Sequence, residues 1–153
     1  VYYMKLAEAL IQRADIKVQI QQIVDRMKEN VLIQEGDTPA EEVNELSAMY
    51  ESMMETMEKL ILKINRTNVD TMLDDISLAD AIAKRDCLKA KISAYRAVKE
   101  ASLVKHSRYS ISEIKYERTI DVTELQSKVD GYSRQYRELD TRIQERNWTT
   151  DLL

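Results

Sequence analysis

The chain has 153 residues, of which 44% are apolar and 33% charged, as in a folded domain. Its net charge of −4 argues against a protein that lives on nucleic acid, because neutralising phosphates requires concentrated positive charge. Two glycines, one proline and no phenylalanine favour uninterrupted helices, so the composition predicts an all-α protein. The sequence has no apolar run near the ~20 residues that span a bilayer and no signal-peptide core, so we expect a cytoplasmic protein without a transmembrane segment.

The length predicts a single helical domain over residues 1–153, with residues 1–3 an extension before an initiator Met4. The first helix is predicted over about 4–30, where apolar residues recur at heptad positions and only Arg13 interrupts them. The apolar positions are Leu6, Ala9, Ile16, Ile20, Ile23 and Met27.

The second helix is predicted over about 39–73. Thr38 as N-cap, Pro39 at the first helical position and Glu41 three residues after the cap form a start signal. One face of this helix is apolar, at Leu46, Met49, Met53, Met57, Leu60 and Ile64. We expect its methionines to fill a core, and the alternative is an adaptable binding surface.

Two further helices are predicted over about 78–104 and 122–147, each opened by a capping box, Ser77 with Asp80 and Asp121 with Glu124. The last helix has an unbroken a/d stripe, which predicts coiled-coil-like packing along its whole length. Its members are Val122, Leu125, Val129, Tyr132, Tyr136, Leu139 and Ile143. Gly131 within this helix indicates either a close helix approach or simple tolerance.

Two connecting segments leave the helical period. Residues 114–120 alternate apolar and polar side chains, as in a half-buried strand, and residues 31–35 also break the helical pattern. If the four helices run antiparallel, both segments lie at the same end of the bundle. The sequence therefore predicts a small two-stranded β ribbon of about 31–35 with 114–120.

No catalytic or metal motif is complete. Glu41, Glu42 and Glu45 match the first half of the EExxE magnesium motif of all-α nucleotide pyrophosphatases, but the required second half is absent. His106 is the only histidine, so a histidine-based zinc triad or two-histidine relay cannot form within one chain. Cys87 lies among lysines and arginines that favour a thiolate, and we expect it to be a small packing residue. We therefore predict a protein that is not an enzyme and has no cofactor or metal.

Residues 84–118 form a basic segment, with ten lysines and arginines against four acidic residues. Tyrosines are interleaved, as in grooves that bind single-stranded nucleic acid. The alternative is charge complementarity with the acidic second helix, within one chain or between subunits, and we favour it over a nucleic-acid partner. The candidate basic patch consists of Lys89, Arg96, Arg108 and Arg118.

The polar run at residues 65–68 is a second candidate site. On a helix its four side chains point around the axis, so at least one should be buried and should find a partner. We predict a polar lock between the second and third helices, with Arg66 facing a carboxylate, and the alternative is a small anion site. The residues involved are Asn65, Arg66, Thr67, Asn68, Asp80, Arg85 and Asp86.

Several stretches resemble the septicolysin family: MKLAEALIQRAD, INRTN, DAIAKRD, RYSISEIK and RELDTRIQERNW. The resemblance covers nearly the whole chain from Met4. It implies a helical, bacterial protein, and the family name records an oxygen-labile haemolysin. It supplies no catalytic residues to carry over.

Three functions remain open. The first hypothesis is a non-enzymatic, self-associating helical structural or interaction protein. Narrow a/d stripes bury less apolar surface than a domain of this mass should, so we expect part of the seam to meet a second copy. The alternative implied by the resemblance is a membrane-active, haemolysin-like toxin. The second alternative is a binder of nucleic acid or another anionic ligand through residues 84–118.

Overall fold

The computed structural model describes residues 1–103 and 114–153, and this part of the chain is mostly helical, as the composition predicts. It contains four helices, α1 (Leu6–Asn30), α2 (Val43–Asp70), α3 (Leu78–Ala101) and α4 (Val122–Thr149), and two short strands, β1 (Met72–Leu73) and β2 (Ile76–Ser77). The contacts divide the chain into two compact units, Val1–Leu78 with Gln144–Leu153, and Ala79–Ile143. Among the described ranges, no helix combines the length and the apolar character that crossing a bilayer requires.

The first unit is built on an antiparallel pair of helices, α1 and α2. Near the end of α1, Arg26 binds Glu41 just before α2, whereas Gln12 lines the same pocket as Lys63 in the second half of α2. The core of the pair follows the heptad stripes expected from the sequence. Its buried members include Leu6, Ala9, Ile16 and Ile23 from α1, and Leu46, Met57, Leu60 and Ile64 from α2.

The expected start of the second helix at residue 39 is wrong, since α2 begins at Val43 with Glu42 as its N-cap. Glu41 does not close a capping box. Its carboxylate accepts hydrogen bonds from the Arg26 guanidinium, and its backbone N–H donates to Asn30 Oδ1 at 3.1 Å. The tertiary contact with α1 therefore replaces the local cap and delays the helix.

The two-stranded sheet exists, but its predicted place is wrong. The strands are β1 and β2, which pair antiparallel with Met72 opposite Ser77 and Leu73 opposite Ile76. The two-residue turn between them has Asp74 at φ 55°, a left-handed conformation that aspartate tolerates better than most residues. Closing so short a loop costs little chain entropy, whereas pairing 31–35 with 114–120 would require a long closure. Those two segments are exposed and lie outside any strand.

The second unit pairs α3 and α4 antiparallel, so the apolar seam of α4 finds a partner in its own chain. Lys99 Nζ donates to Gln126 Oε1 at 2.6 Å, near the end of one helix and the start of the other. At the opposite end of the pair, Arg85 Nη1 lies 3.0 Å from Asp140 Oδ1. The buried apolar residues of this unit include Ala81, Ile92, Leu125, Val129 and Ile143.

An aromatic contact joins the middle of α3 and α4. The rings of Tyr95 and Tyr132 stack with centroids 6.2 Å apart and planes 12° apart. Lys91 Nζ lies 5.1 Å from the centroid of Tyr132, and Lys128 Nζ lies 5.1 Å from that of Tyr95. Each ring thus receives a cation from the other helix, an interaction worth about 0.5–1 kcal/mol at an exposed position.

The N-terminus of α4 and the glycine within it can both be compared with the sequence pattern. Asp121 caps the helix as expected, since its carboxylate accepts from the backbone N–H of Thr123 at 2.9 Å and of Glu124 at 3.3 Å. At Gly131, a Cβ atom would meet nothing within 4 Å. Of the two explanations for this glycine, the structure therefore supports tolerance.

Candidate ligand and partner surfaces

The polar run at residues 65–68 does contain a buried member, but it is Thr67. Thr67 is 1% exposed, whereas Asn65 and Arg66 are exposed. The Thr67 hydroxyl donates to Lys63 O at 2.8 Å and accepts from the backbone N–H of Leu153 at 3.0 Å. The Thr67 hydroxyl therefore faces inward and binds the last residues of the sequence, and its partners are backbone groups rather than a carboxylate. Asn68 is half-buried, and its Oδ1 atom is buried without a hydrogen-bond partner among the described residues.

The same last residues, 150–153, pair with the start of α1. The backbone N–H of Leu6 donates to Thr150 O at 2.8 Å, and that of Leu152 donates to Met4 O at 2.8 Å. A β-bridge joins Lys5 and Asp151, and the ammonium of Lys5 lies 2.7 Å from the Asp151 carboxylate. Thr67 and the first turn of α1 thus hold residues 150–153 from two sides.

The expected lock between Arg66 and the third helix would join residues of different units and remains a prediction. Arg66 is exposed and forms no ion pair within residues 1–103 and 114–153. Asp86 lies in the second unit, where Arg85 binds it at 3.2 Å and also binds Asp140 at 3.0 Å. Asp80, on the first turn of α3, belongs to that unit as well. Arg85 therefore serves as a link between α3 and α4.

The candidate basic patch divides into residues with different roles. Arg118 Nε donates to the backbone oxygen of Ser102 at 2.8 Å, which fixes the exposed segment before α4. Lys89 and Arg96 are exposed on α3, and neither forms an ion pair or side-chain hydrogen bond with any residue that the structure describes. Arg108 lies outside the described residues.

Lys89 and Arg96 line a groove between α3 and α4 of about 280 Å³. We call it the α3–α4 groove, and its described lining residues are Lys89, Ile92, Ser93, Arg96, Ser133 and Tyr136. Lys89 and Arg96 are seven residues apart, or about 10.5 Å along a helix axis, so they mark the two ends of one face. Two cations, hydroxyl groups and an apolar surface thus border one concave site.

Ser133 is the part of this groove that the sequence analysis missed. Its Oγ atom is buried and has no hydrogen-bond partner among the described residues. Threonines elsewhere in the helices behave differently: Thr56, Thr67 and Thr141 each donate to the carbonyl oxygen four residues earlier. The Ser133 hydroxyl therefore has hydrogen-bonding capacity that no described residue uses. In the sequence, the only sign that Ser133 borders a groove is its i, i+3 spacing from Tyr136. The heptad pattern by itself places Tyr136 in the apolar seam of α4.

A different surface lies along α2. Met54 is 39%, Leu62 46% and Val69 68% exposed, and Ile61 is half-buried, so these side chains form a second apolar stripe beside the buried one. A groove of about 670 Å³ follows part of it, lined by Glu51, Ser52, Met54, Glu55, Met57, Glu58, Ile61 and Leu62. We call this the α2 surface.

The methionines of α2 divide between the two stripes. Met57 is buried, as expected of core residues, and Met53 is half-buried. Met49, which the heptad pattern also places in the core, is exposed, and so is Met54. Because α2 packs on α1 along one face, the methionines on its other sides remain accessible, and the alternative of an adaptable surface applies to them.

Two of the ionisable groups with shifted pKa values, Arg26 and Glu41, pair at the tip between α1 and α2. Hydrogen bonds from Arg26 hold the pKa of Glu41 below its usual value of 4.5, and the same bonds raise the pKa of Arg26.

Within the part of the chain that the structure describes, no three His, Cys, Asp or Glu side chains form a group that could hold a metal ion. Cys87, expected to be a packing residue, is instead exposed, and His106 lies outside the described residues.

Comparison with known proteins places this architecture among related chains. The chain is similar to a solved crystal structure, that of a functionally unknown conserved protein from Corynebacterium diphtheriae. The two sequences are 37% identical, and the two structures superpose with a TM-score of 0.89. The match covers 99% of this chain and 100% of that one. No curated protein matches the sequence. A family of unknown function (DUF6847) matches residues 13–152, and the chain therefore belongs to that family.

Proposed function

We propose that this protein is a non-enzymatic helical interaction protein that self-associates, and that the α2 surface of one copy receives the basic helix α3 of a second copy. The carrying observation is the exposed apolar stripe at Met54, Leu62 and Val69, which lies on a different side of α2 from its buried contact with α1. Apolar side chains that recur along one face of a helix are typical of a surface that packs against another helix.

Charge supports the choice of occupant. Residues 41–58 contain six glutamates and no lysine or arginine, whereas residues 84–99 contain six lysines and arginines and one aspartate. Glu55 forms an exposed pair with Lys59 at 2.9 Å, but Glu51 and Glu58 have no ion pair among the described residues. The same sequence thus supplies an acidic, apolar surface and a basic helix, and opposite charges guide and align such a contact.

Symmetry makes the contact self-limiting. We propose that two copies exchange this contact reciprocally about a twofold axis, so that the α2 surface of each copy receives helix α3 of the other. The dimer then contains the contact twice, which doubles the apolar area removed from water and leaves no unmatched surface to recruit further copies.

Sedimentation velocity tests the proposal, with the wild type compared with a Met54→Glu, Leu62→Glu double variant. The proposal predicts a wild-type dimer at micromolar concentration and a monomeric double variant, because the new charges lie in the apolar stripe beside existing glutamates. Ile11→Glu, Val18→Glu is the matched control, since both side chains are exposed on α1 and the charge change is equal.

The salt dependence provides a further criterion. The wild-type dimer should weaken as the salt concentration rises from about 0.1 M to 1 M, because the Debye length falls from about 10 Å to about 3 Å. A wild-type monomer at micromolar concentration would contradict the proposal. Equal dissociation of the α1 control and the α2 variant would contradict the choice of surface.

A further inference from the structure

We propose that the α3–α4 groove is a binding site for a small ligand that carries a phosphate-like oxyanion next to a flat apolar group. This goes beyond self-association, because the site lies within one unit of one chain and requires no second copy. Nothing in the relatives described above assigns a ligand to it.

The cations of α3 show which part of the surface is available to a ligand. Arg85 binds Asp86 and Asp140, Lys91 lies over the Tyr132 ring, and Lys99 donates to Gln126. The contacts of these cations with Asp140, Tyr132 and Gln126 hold α3 and α4 together. Lys89 and Arg96, by contrast, have no such contact among the described residues and line the same groove. Two cations that line one concavity and form no ion pair with a described residue attract an anion.

The hydroxyl groups provide directional recognition. Ser93 lies between Lys89 and Arg96 on α3, and Ser133 lies on the α4 side of the groove. The buried Oγ of Ser133 has no partner among the described residues, an arrangement that costs free energy unless a further group binds it. An oxyanion oxygen accepts from serine hydroxyls, lysine ammonium groups and arginine guanidinium groups alike, and arginine can bind it in a bidentate manner.

The size and the apolar residues restrict the ligand class. The groove has a volume of about 280 Å³, close to the lower end of the range of about 300–1,000 Å³ that is typical of small-ligand sites. Ile92 is buried and contributes an apolar side chain, and Tyr136 contributes an aromatic one. A phosphate or sulfate monoester with one small ring would match these features. A long nucleic-acid strand would extend well beyond a site of this size.

NMR titration of the full chain at low salt tests this site. The probes are inorganic phosphate, sulfate and phenyl phosphate, observed through the backbone amides of Ser93 and Ser133. We expect saturable shifts at about millimolar phosphate, within the efficiency limit for so small an ion. Phenyl phosphate should bind more tightly than phosphate because of the ring. Equal affinity for the two would refute the apolar part of the proposal.

Variants locate the site. Arg96→Gln and Lys89→Gln should each weaken phenyl phosphate by about tenfold, as loss of a charge-assisted hydrogen bond does. Lys84→Gln is the matched control, since Lys84 is an exposed cation of α3 that does not belong to the described lining of the groove. Its affinity should remain within about twofold of the wild type, the loss expected from a screened surface charge.

Ser133→Ala separates binding from folding. Removing a buried hydroxyl without a partner should leave the melting temperature unchanged or raise it, while phenyl phosphate binds several-fold more weakly. Sedimentation of each variant shows whether a changed oligomeric state accompanies the loss, so that failure here is distinct from failure of self-association. Absence of saturable shifts at the groove would refute the site. Suppose instead that Lys89→Gln, Arg96→Gln and Lys84→Gln weaken phenyl phosphate equally and that the protein binds a single-stranded oligonucleotide. That result would replace the small-ligand site with an extended nucleic-acid surface.

Discussion

Thr67→Val is the most informative single change for the fold, because the sequence and the structure disagree about which residue of the polar run matters. The sequence pattern favours Arg66, whereas the structure gives the buried position and both hydrogen bonds to Thr67. Valine has nearly the same shape as threonine but has a methyl group in place of the hydroxyl. The variant therefore removes the hydrogen bonds to Lys63 and Leu153 without opening a large cavity.

The expected cost follows from the two bonds. Each intramolecular hydrogen bond contributes about 0.5–1.5 kcal/mol net, so Thr67→Val should lower the free energy of unfolding by about 1–3 kcal/mol. A chain of this length loses about 2–4 °C of melting temperature per kcal/mol, and we expect a decrease of about 6 °C for the central value. Arg66→Leu should change the free energy by less than about 0.5 kcal/mol, since Arg66 is exposed.

Thermal unfolding followed by circular dichroism measures the first quantity, and hydrogen exchange at the Leu153 amide measures the contact itself. Thr67→Ser is the control, because it keeps the hydroxyl and loses one methyl group, at a cost of about 0.8 kcal/mol. Its Leu153 amide should remain protected, whereas that of Thr67→Val should exchange freely. A destabilised Arg66→Leu together with an unaffected Thr67→Val would refute the reasoning.

Three other predictions concern the stability of the fold, and a fourth concerns lysis of erythrocytes. Gly131→Ala should raise the free energy of unfolding by about 1 kcal/mol in denaturant titration, because a Cβ there meets open space. Tyr95→Leu should lower it by about 1–2 kcal/mol, since it removes the ring stacking and one cation–π contact. Since Arg26 lowers the pKa of Glu41 in the folded chain, their pair stabilises folding above the unfolded-state pKa of 4.5, and this contribution is lost as pH falls through the folded-state pKa. Glu41→Gln should therefore lower the melting temperature at neutral pH and have progressively less effect on acidification below that window. Finally, the septicolysin resemblance implies lysis of erythrocytes that stops when the exposed Cys87 is blocked, whereas our proposal expects no lysis.

Each of these predictions has an outcome that would contradict it. Destabilisation by Gly131→Ala would indicate a close contact at that point of α4. Tyr116→Leu, at an exposed tyrosine, is the control for Tyr95→Leu, and equal effects of the two would show that the stack contributes nothing. A Glu41→Gln difference that grows on acidification would reverse the sign of the linkage. Dose-dependent lysis that Cys87 blockage abolishes would favour the toxin alternative over an interaction role.

The helices could be predicted from sequence because their signals are local. The heptad stripe of α4, the Asp121 cap and the chain stop after Asn30 each depend on residues within a few positions of one another. The predicted bounds of α1, α3 and α4 consequently lie within about two to three residues of the observed ones, the usual uncertainty at helix ends.

The start of α2, the role of Thr67 and the buried hydroxyl of Ser133 could not be predicted, because each depends on contacts between residues far apart in the sequence. The capping box at Glu41 is a valid local signal, but Arg26 and Asn30 bind that residue from α1. Heptad spacing does not show which residue of the polar run faces the last four residues, so Thr67 was not distinguished from Arg66. Ser133 is likewise an ordinary helical serine in sequence, and only the packing of α3 against α4 buries its hydroxyl.

The most direct test of self-association is zero-length carbodiimide crosslinking of a mixture of unlabelled and ¹⁵N-labelled protein, analysed by mass spectrometry. Our account predicts mixed-isotope crosslinks that join Glu51 or Glu58 of one copy to Lys84 or Lys91 of the other. These links should disappear in the Met54→Glu, Leu62→Glu variant. A protein that remains monomeric and gives only links between residues of the same isotope would contradict the account.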